Sequence, residues 1–247
     1  MNTIFLLSKI DNYIKDENGN KTPKVFSNTN QLLDNFKKYI KKYDNFLYVA
    51  SVENNPEATD AYSKAIIESF KLTLPFKNYF ILDGRNKQES KSLVEKADFI
   101  YLSGGHLPSA NSFINNINLK ELIKNNKHAI ICGVSAGSMN CANVVYCPPE
   151  LEGESLDPNF KVYLKGLNLT EINVLPHFNT VKDEYLDDKH FLNEIVLPHS
   201  YKKEILALDD FSYVLIDNGK NTIYGSAYTI KDGVVEQINS NENTLEI

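Results

Sequence analysis

Arginine is almost missing from this chain of 247 residues: Arg85 stands alone, and lysine supplies nearly all of the positive charge. Guanidinium forks are a common means of gripping phosphate and carboxylate groups, so their scarcity narrows how an acidic ligand can be held. Basic charge is also in the minority, with 26 Lys and Arg against 32 Asp and Glu and a net charge of -6. That balance argues against non-specific nucleic-acid binding. Cysteine is sparse and odd in number. Cys132, Cys141 and Cys147 include no C-x-x-C pair and read as reduced thiols of a cytoplasmic protein. No long hydrophobic run occurs. The amino-terminal apolar run is only Ile4–Leu7 before polar sequence resumes, which predicts no cleaved leader. Nothing approaches the roughly 20 apolar residues of a membrane span, so no membrane partner is expected. No His, Cys or Asp cluster has zinc spacing, so neither a metal nor another cofactor is expected.

What the chain does have is an alternation of short apolar runs and helical patterns, at a composition of 42% apolar residues that suffices for a sizeable core. Strands are predicted at 3–8, 46–51, 79–82, 98–103 and 128–132. Helices are predicted between them at 31–42, 58–71, 88–96 and, in two pieces, 109–124. The polar stretch 11–28 reads as an exposed insertion. Strands separated by helices of this length imply parallel βαβ units, hence an α/β fold with a mostly parallel sheet and helices on both faces. After Tyr146 the pattern changes. Residues 151–165 are polar and irregular, 171–175 and 205–208 read as strands, and 183–196 as a helix. Residues 213–217, 222–227 and 234–237 read as a carboxy-terminal antiparallel meander with turns at Asn218-Gly219 and Asp232-Gly233. No repeat and no linker interrupts the chain, so one domain over 1–247 is expected. The meander offers an edge on which a second copy can pair into a homodimer.

Within this frame, Gly133-Val-Ser-Ala-Gly137 follows an apolar strand and runs straight into small residues. G-x-S-x-G between a strand and a helix is a nucleophile elbow: the turn is so tight that glycine flanks the serine, and the serine hydroxyl stands at the strand's carboxyl end. Ser135 is therefore the candidate nucleophile, with the Ala136 N–H facing the place where an oxyanion would form. Of five histidines, His128 opens a strand and reads as structural, His190 falls in the predicted helix, and His199 lies in a loop. His177 stands at the end of the strand Ile172–Pro176, on the side of a parallel sheet where sites form. Asp209 and Asp210 follow another strand, and either can orient His177. The chain order Ser…His…Asp differs from the α/β-hydrolase order, in which Asp157, Asp183, Asp187 or Asp188 would serve with His190 or His199. Gly104-Gly105, after the strand 98–103, can supply the second oxyanion N–H.

The Gly104-Gly105 turn, Gly133–Gly137, Leu175-Pro-His-Phe178 and the acid after the late strand occur in this order in peptidase E. Over about residues 46–217 the chain resembles that family of aspartyl dipeptidases, to which cyanophycinases are related. The resemblance implies a fold like that of class I glutamine amidotransferases with Ser in place of Cys. It implies Ser135 as nucleophile, His177 as base, and Asp210 at the position of the family's third member. It also implies hydrolysis of dipeptides with amino-terminal Asp or a related residue, with Glu150 at the place of an acidic residue that matters in the family. Glu152 and Glu154 lie close by. The chain departs from the family's common Gly-Gly-Asn by carrying His106, a candidate substrate contact together with Gly104 and Glu150; Lys165 and His106 are candidates to replace an arginine. Two other functions fit the same residues: a catalytically silent binding domain of this fold, or a serine hydrolase acting on an ester or an aspartyl polymer.

Overall fold

Strict alternation along the early strands explains the central sheet. Phe5 and Leu7 point to one face, while Ile4 and Leu6 point to the other. Phe46, Tyr48, Phe99 and Tyr101 join the first set, and Leu47, Val49, Ile100 and Leu102 join the second. Strands buried on both faces must be covered by helices on both sides. The computed structural model of the chain, which describes residues 2–17 and 21–247, has that arrangement. Helices Leu32–Tyr39 and Pro56–Thr73 cover the aromatic face through Phe36 and Phe70. Helices Ser90–Lys96, Leu107–Asn116 and Leu119–Asn125 cover the aliphatic face through Leu93, Phe113 and Ile123.

Among the described residues, the central sheet has eight strands. In spatial order they are Thr244–Glu246, Lys220–Tyr224, Tyr213–Asp217, Ile4–Leu7, Ile130–Val134, Phe99–Leu102, Asn45–Val49 and Asn78–Leu82. From Ile4–Leu7 onward the pairings are parallel, and the carboxy-terminal strands add to the other side antiparallel. The fold is thus α/β with a mostly parallel sheet, and the helix pattern before residue 126 matches the sequence reading, including the break at Ile117–Asn118. The insertion 11–28 is a hairpin, Tyr13–Lys15 paired with Lys21–Pro23, whose residues 18–20 lie outside the described residues.

Several expectations for the later chain are corrected. The predicted carboxy-terminal antiparallel strands are present, divided between two sheets. Strands Ala227–Lys231 and Val234–Asn239 leave the central sheet and join Ile205–Leu208 and Val174–Leu175 in a second, four-stranded sheet. The strand expected over 171–175 shrinks to Val174–Leu175 and belongs to that second sheet. The helix expected over 183–196 begins as a two-residue hairpin, with Tyr185 facing His190 and Leu186 facing Lys189. Asp187 and Asp188 both take left-handed φ values, 50° and 62°. This is the geometry a two-residue hairpin turn demands and short polar residues tolerate. Only Phe191–Val196 is helical, in a π-helical turn. His190 is accordingly in a strand, and His128 is exposed in the turn before Ile130–Val134 rather than in a buried strand.

Candidate active site

The elbow forms because three backbones converge where no side chain fits. A Cβ on Gly137 would run into the Leu102 carbonyl, and one on Gly133 would stand 2.6 Å from the Ser138 nitrogen. Both glycines are therefore required by close approach, while the strained conformation falls on Ser135 itself, at φ 53° and ψ -120°. Its N–H is held by the Leu7 carbonyl at 2.9 Å, which anchors the turn to the neighbouring strand. The Ser138 hydroxyl donates to the same carbonyl at 2.7 Å. Gly104 lies alongside: a Cβ there would come within 3.2 Å of Ser135 Cβ and 3.8 Å of its Oγ. Ala136 opens the helix Ala136–Met139, so its N–H is among those a helix leaves without an internal partner.

His177 arrives from the second sheet. It follows Val174–Leu175 in a left-handed conformation, φ 59° and ψ 26°, and its N–H donates to the Ser8 hydroxyl at 2.8 Å. The ring lies between two partners. Nε2 is 3.0 Å from Ser135 Oγ, and Nδ1 is 2.6 Å from Asp210 Oδ1. Asp210 follows Ile205–Leu208, the strand parallel to Val174–Leu175, so both residues leave the second sheet at one edge. Its other oxygen accepts from the Lys9 ammonium at 2.6 Å, and its N–H donates to Asn179 Oδ1 at 2.9 Å. Burial raises the Asp210 carboxyl's pKa, but Lys9 and His177 outweigh it and hold the group below the usual Asp range. Asp209 turns away. Its carboxylate takes the Tyr228 hydroxyl at 3.4 Å, and burial pushes its pKa up.

Two cavities open from Ser135. One, of about 820 Å³, is lined by the hairpin and by Tyr48, Tyr62, Tyr101 and His106. The other, of about 420 Å³, is lined by Pro148, Glu150, Glu184 and Tyr185 among others. Ser135, His177 and Gly105 border both. The loop carrying Glu150 is clamped to the Gly-Gly turn. Glu150 Oε2 accepts the Leu107 N–H at 3.1 Å, and His106 Nε2 meets Glu154 Oε1 at 2.8 Å while its Nδ1 meets Ser109. Glu154 also accepts the N–H groups of Glu150 and Leu151. Burial raises its pKa, and these donors bring it to a net lowering. Glu150 keeps an open surface at the cavity mouth, yet its carboxyl is packed about closely enough that burial raises its pKa. The open surface decides what can reach it; the packing around the carboxyl decides its charge.

Sequence reasoning missed Lys9 on Asp210 and Ser8 on the His177 backbone, and it named Asp187 only as an alternative acid, whereas Asp187 accepts the N–H groups of Gly153 and Ser155 and ties down the Glu150 loop. Their signal was weak, because each acts across more than 30 residues of chain. Lys165 lines neither cavity, and Glu152 is exposed. Arg85 is held by Asp60 and Asp83 and lines neither cavity. The alternative pairs built on His190 and His199 do not form. His190 Nδ1 accepts the Asn193 N–H, and His199 Nδ1 lies 3.2 Å from the Tyr146 hydroxyl.

Residues 17–224 match peptidase family S51. The chain belongs to that family. Among solved structures, the S51 chain is similar to a peptidase from an acI-B1 actinobacterium, at a TM-score of 0.69 and 16% identity, covering 100% of this chain and 97% of the other. It is also similar to a putative peptidase E protein from Listeria monocytogenes EGD-e, at a TM-score of 0.55 and 16% identity, covering 97% and 100%. At this identity the likeness speaks for the fold. No significant match exists among curated proteins. Among the described residues, no helix of this S51 protein is long and apolar enough to cross a membrane.

Proposed function

We propose that the protein is a serine peptidase of short peptides, a dipeptidase with a preference for amino-terminal Asp or a related residue. The observation that carries this reading is the continuous relay from Ser135 Oγ through His177 to Asp210, at 3.0 and 2.6 Å, at an elbow that opens into two cavities. Ser135 Oγ attacks the scissile carbonyl as His177 Nε2 takes its proton. Asp210 on Nδ1 fixes the ring's tautomer and stabilises the imidazolium. The tetrahedral oxyanion is received by the N–H groups of Ala136 and Gly105, donors of a kind worth roughly 3–4 kcal/mol each in known cases. His177 returns the proton to the leaving amine, and water then hydrolyses the acyl-enzyme on Ser135.

Glu150 is proposed to hold the substrate's α-ammonium group. Support comes from its place in the smaller cavity with one carboxylate oxygen already oriented by Leu107 N–H. Gly104 and His106 border the reacting centre as further substrate contacts. The larger cavity leaves room for peptides longer than two residues. A panel of Asp-Leu, Asn-Leu, Ala-Leu and N-acetyl-Asp-Leu tests the reading. Asp-Leu is expected to be cleaved fastest and the acetylated peptide hardly at all. Equal rates for Asp-Leu and Asn-Leu would remove the preference for Asp. A fluorophosphonate probe is expected to label Ser135 in the folded protein. Failure to label would favour a silent binding domain.

A further inference from the structure

The two cavities that meet at Ser135 differ in charge. Among the described residues, the larger is lined by two lysines, Lys9 and Lys21, and by no Asp or Glu. The smaller is lined by Glu150 and Glu184 and by no Lys or Arg. The basic side is supplied by the inserted hairpin and the segment leading into it. Of its two cations, Lys9 is committed to Asp210 at 2.6 Å. The Lys21 ammonium has no carboxylate partner among the described residues. It stands over the rings of Tyr13 and Tyr62, with centroids at 4.7 and 5.6 Å, contacts that orient it without neutralising it. Asn12 lines the same cavity at 2% exposure, and its Nδ2 has no hydrogen-bond partner among the described residues. A buried donor left unmade is costly unless a polar group or a water reaches it. The hairpin's base is fixed in place: the Asn12 carbonyl accepts the Lys24 N–H at 3.0 Å and the Ser69 hydroxyl at 2.5 Å from helix Pro56–Thr73.

We infer that the hairpin builds an anion subsite in which Lys21 receives the α-carboxylate of the departing part of a short peptide. This rests on the proposed placement of the α-ammonium at Glu150 and takes it further. With the amino-terminal residue in the acidic cavity, the leaving part of the chain runs across Ser135 into the basic one. A free short peptide carries one positive and one negative end, and the site offers the opposite sign to each. Capture of both ends restricts cleavage to short peptides with a free carboxyl terminus. The restriction is written into the insertion rather than into the relay.

Binding to the Ser135→Ala variant tests this without turnover. The ligands are Asp-Leu, Asp-Leu-Ala, the carboxy-terminal amide of each, and Asn-Leu, measured by titration calorimetry. At least one free acid is expected to bind tenfold or more tightly than its amide. Adding Lys21→Met should bring acid and amide within about twofold, Lys21→Arg should keep the gap, and Lys21→Glu should invert it. Equal binding of acid and amide, a gap that survives Lys21→Met, or no measurable binding of any peptide would each overturn the subsite. Weaker binding of Asn-Leu, with Asp-Leu and its amide equal, would mean that a side-chain carboxylate is read instead, and would overturn it too. Absence of peptide hydrolysis by the unaltered protein, with carboxylate-dependent binding intact, would remove the proposed reaction and leave the subsite standing.

Discussion

The region up to Tyr146 and the region after it contribute to one hydrogen-bonded chain by different means. The first supplies Ser135 from the middle of a parallel sheet, where the residue is fixed by packing. Val134 precedes it in a fully buried strand, and Gly133 and Gly137 are pressed against neighbouring backbone. The second region supplies His177 and Asp210 from the edge of a small sheet, where hydrogen bonds fix them. His177 leans on Ser8, and Asp210 leans on Lys9 and Asn179. In the proposed reaction a carbonyl reaches Ser135 from only one direction, which suits a rigid mount. The same proposal needs His177 and Asp210 to keep a proton's path aligned, and polar contacts set that alignment.

The comparison breaks most sharply at the relay. Ser135→Ala and His177→Ala should each lower kcat/KM for Asp-Leu by about 10⁴- to 10⁶-fold, and the double variant should be little worse than either. Additive losses would mean that the two do not act as a unit. Thermal unfolding should show the fold intact in both. The mount, by contrast, should fail through stability. Phe99 is fully buried and packs on Phe36, Phe46 and Phe70 at centroid distances of 5.7, 5.4 and 5.4 Å. Phe99→Ala should cost about 3–5 kcal/mol in denaturant unfolding. A loss below 1 kcal/mol would contradict the packing account.

Smaller effects lie on the hydrogen-bonded side. Glu150→Gln should raise KM for a free dipeptide by about 10- to 100-fold, the worth of one hydrogen bond to a charged group. In the unaltered protein the burial-raised pKa of Glu150 makes its charge disappear earlier on acidification. KM should therefore begin to rise above the ordinary Glu range of about 4.3, and a KM flat down to that range would argue against Glu150 as the ammonium site. Asp210 has the opposite sign. Its lowered folded pKa adds stability above the unfolded value of about 3.9, and that stability is lost as pH falls through the lowered value. Lys9→Met should narrow this window and cost about 1 kcal/mol near neutral pH, the lysine being partly exposed. Unfolding curves at several pH values measure both. Finally, Cys141 and Cys147 are pushed up to about 12 by burial, with Glu150 and Glu154 adding to the effect at Cys147. Ellman's reagent at pH 8 should find them only after unfolding, and rapid labelling of the native protein would show the elbow's surroundings to be looser than described.

The parts of the site that were legible in the sequence are those set by local sterics. Glycines at 133 and 137 announce a turn in which backbones touch, and an apolar strand ending at Pro176 announces where His177 emerges. Spacing and patterning left the choice between Asp209 and Asp210 open, and only the family resemblance pointed to Asp210. The two are identical and adjacent, and only the approach of His177 and Lys9 to one, and of Tyr228 to the other, separates them. The stretch 183–196 misled because Tyr185, Leu186, Phe191, Ile195 and Val196 are spaced plausibly for a helix. The deciding residues were Asp187 and Asp188, which take the turn, after which Asp187 accepts backbone N–H groups of a distant loop.

By itself, then, the sequence determined an α/β sheet with a serine elbow and a histidine at a strand end. Period-two burial, glycine at crowded backbone and apolar strand runs act within a few residues of chain. The tertiary structure alone decided that His177 and Lys9 meet one acid and Tyr228 the other, that the carboxy-terminal strands divide between two sheets, and that the cavities on either side of Ser135 carry opposite charge. Those outcomes depend on side chains tens to hundreds of residues apart arriving within hydrogen-bond reach, as Lys9 does at Asp210, and no local pattern encodes that distance.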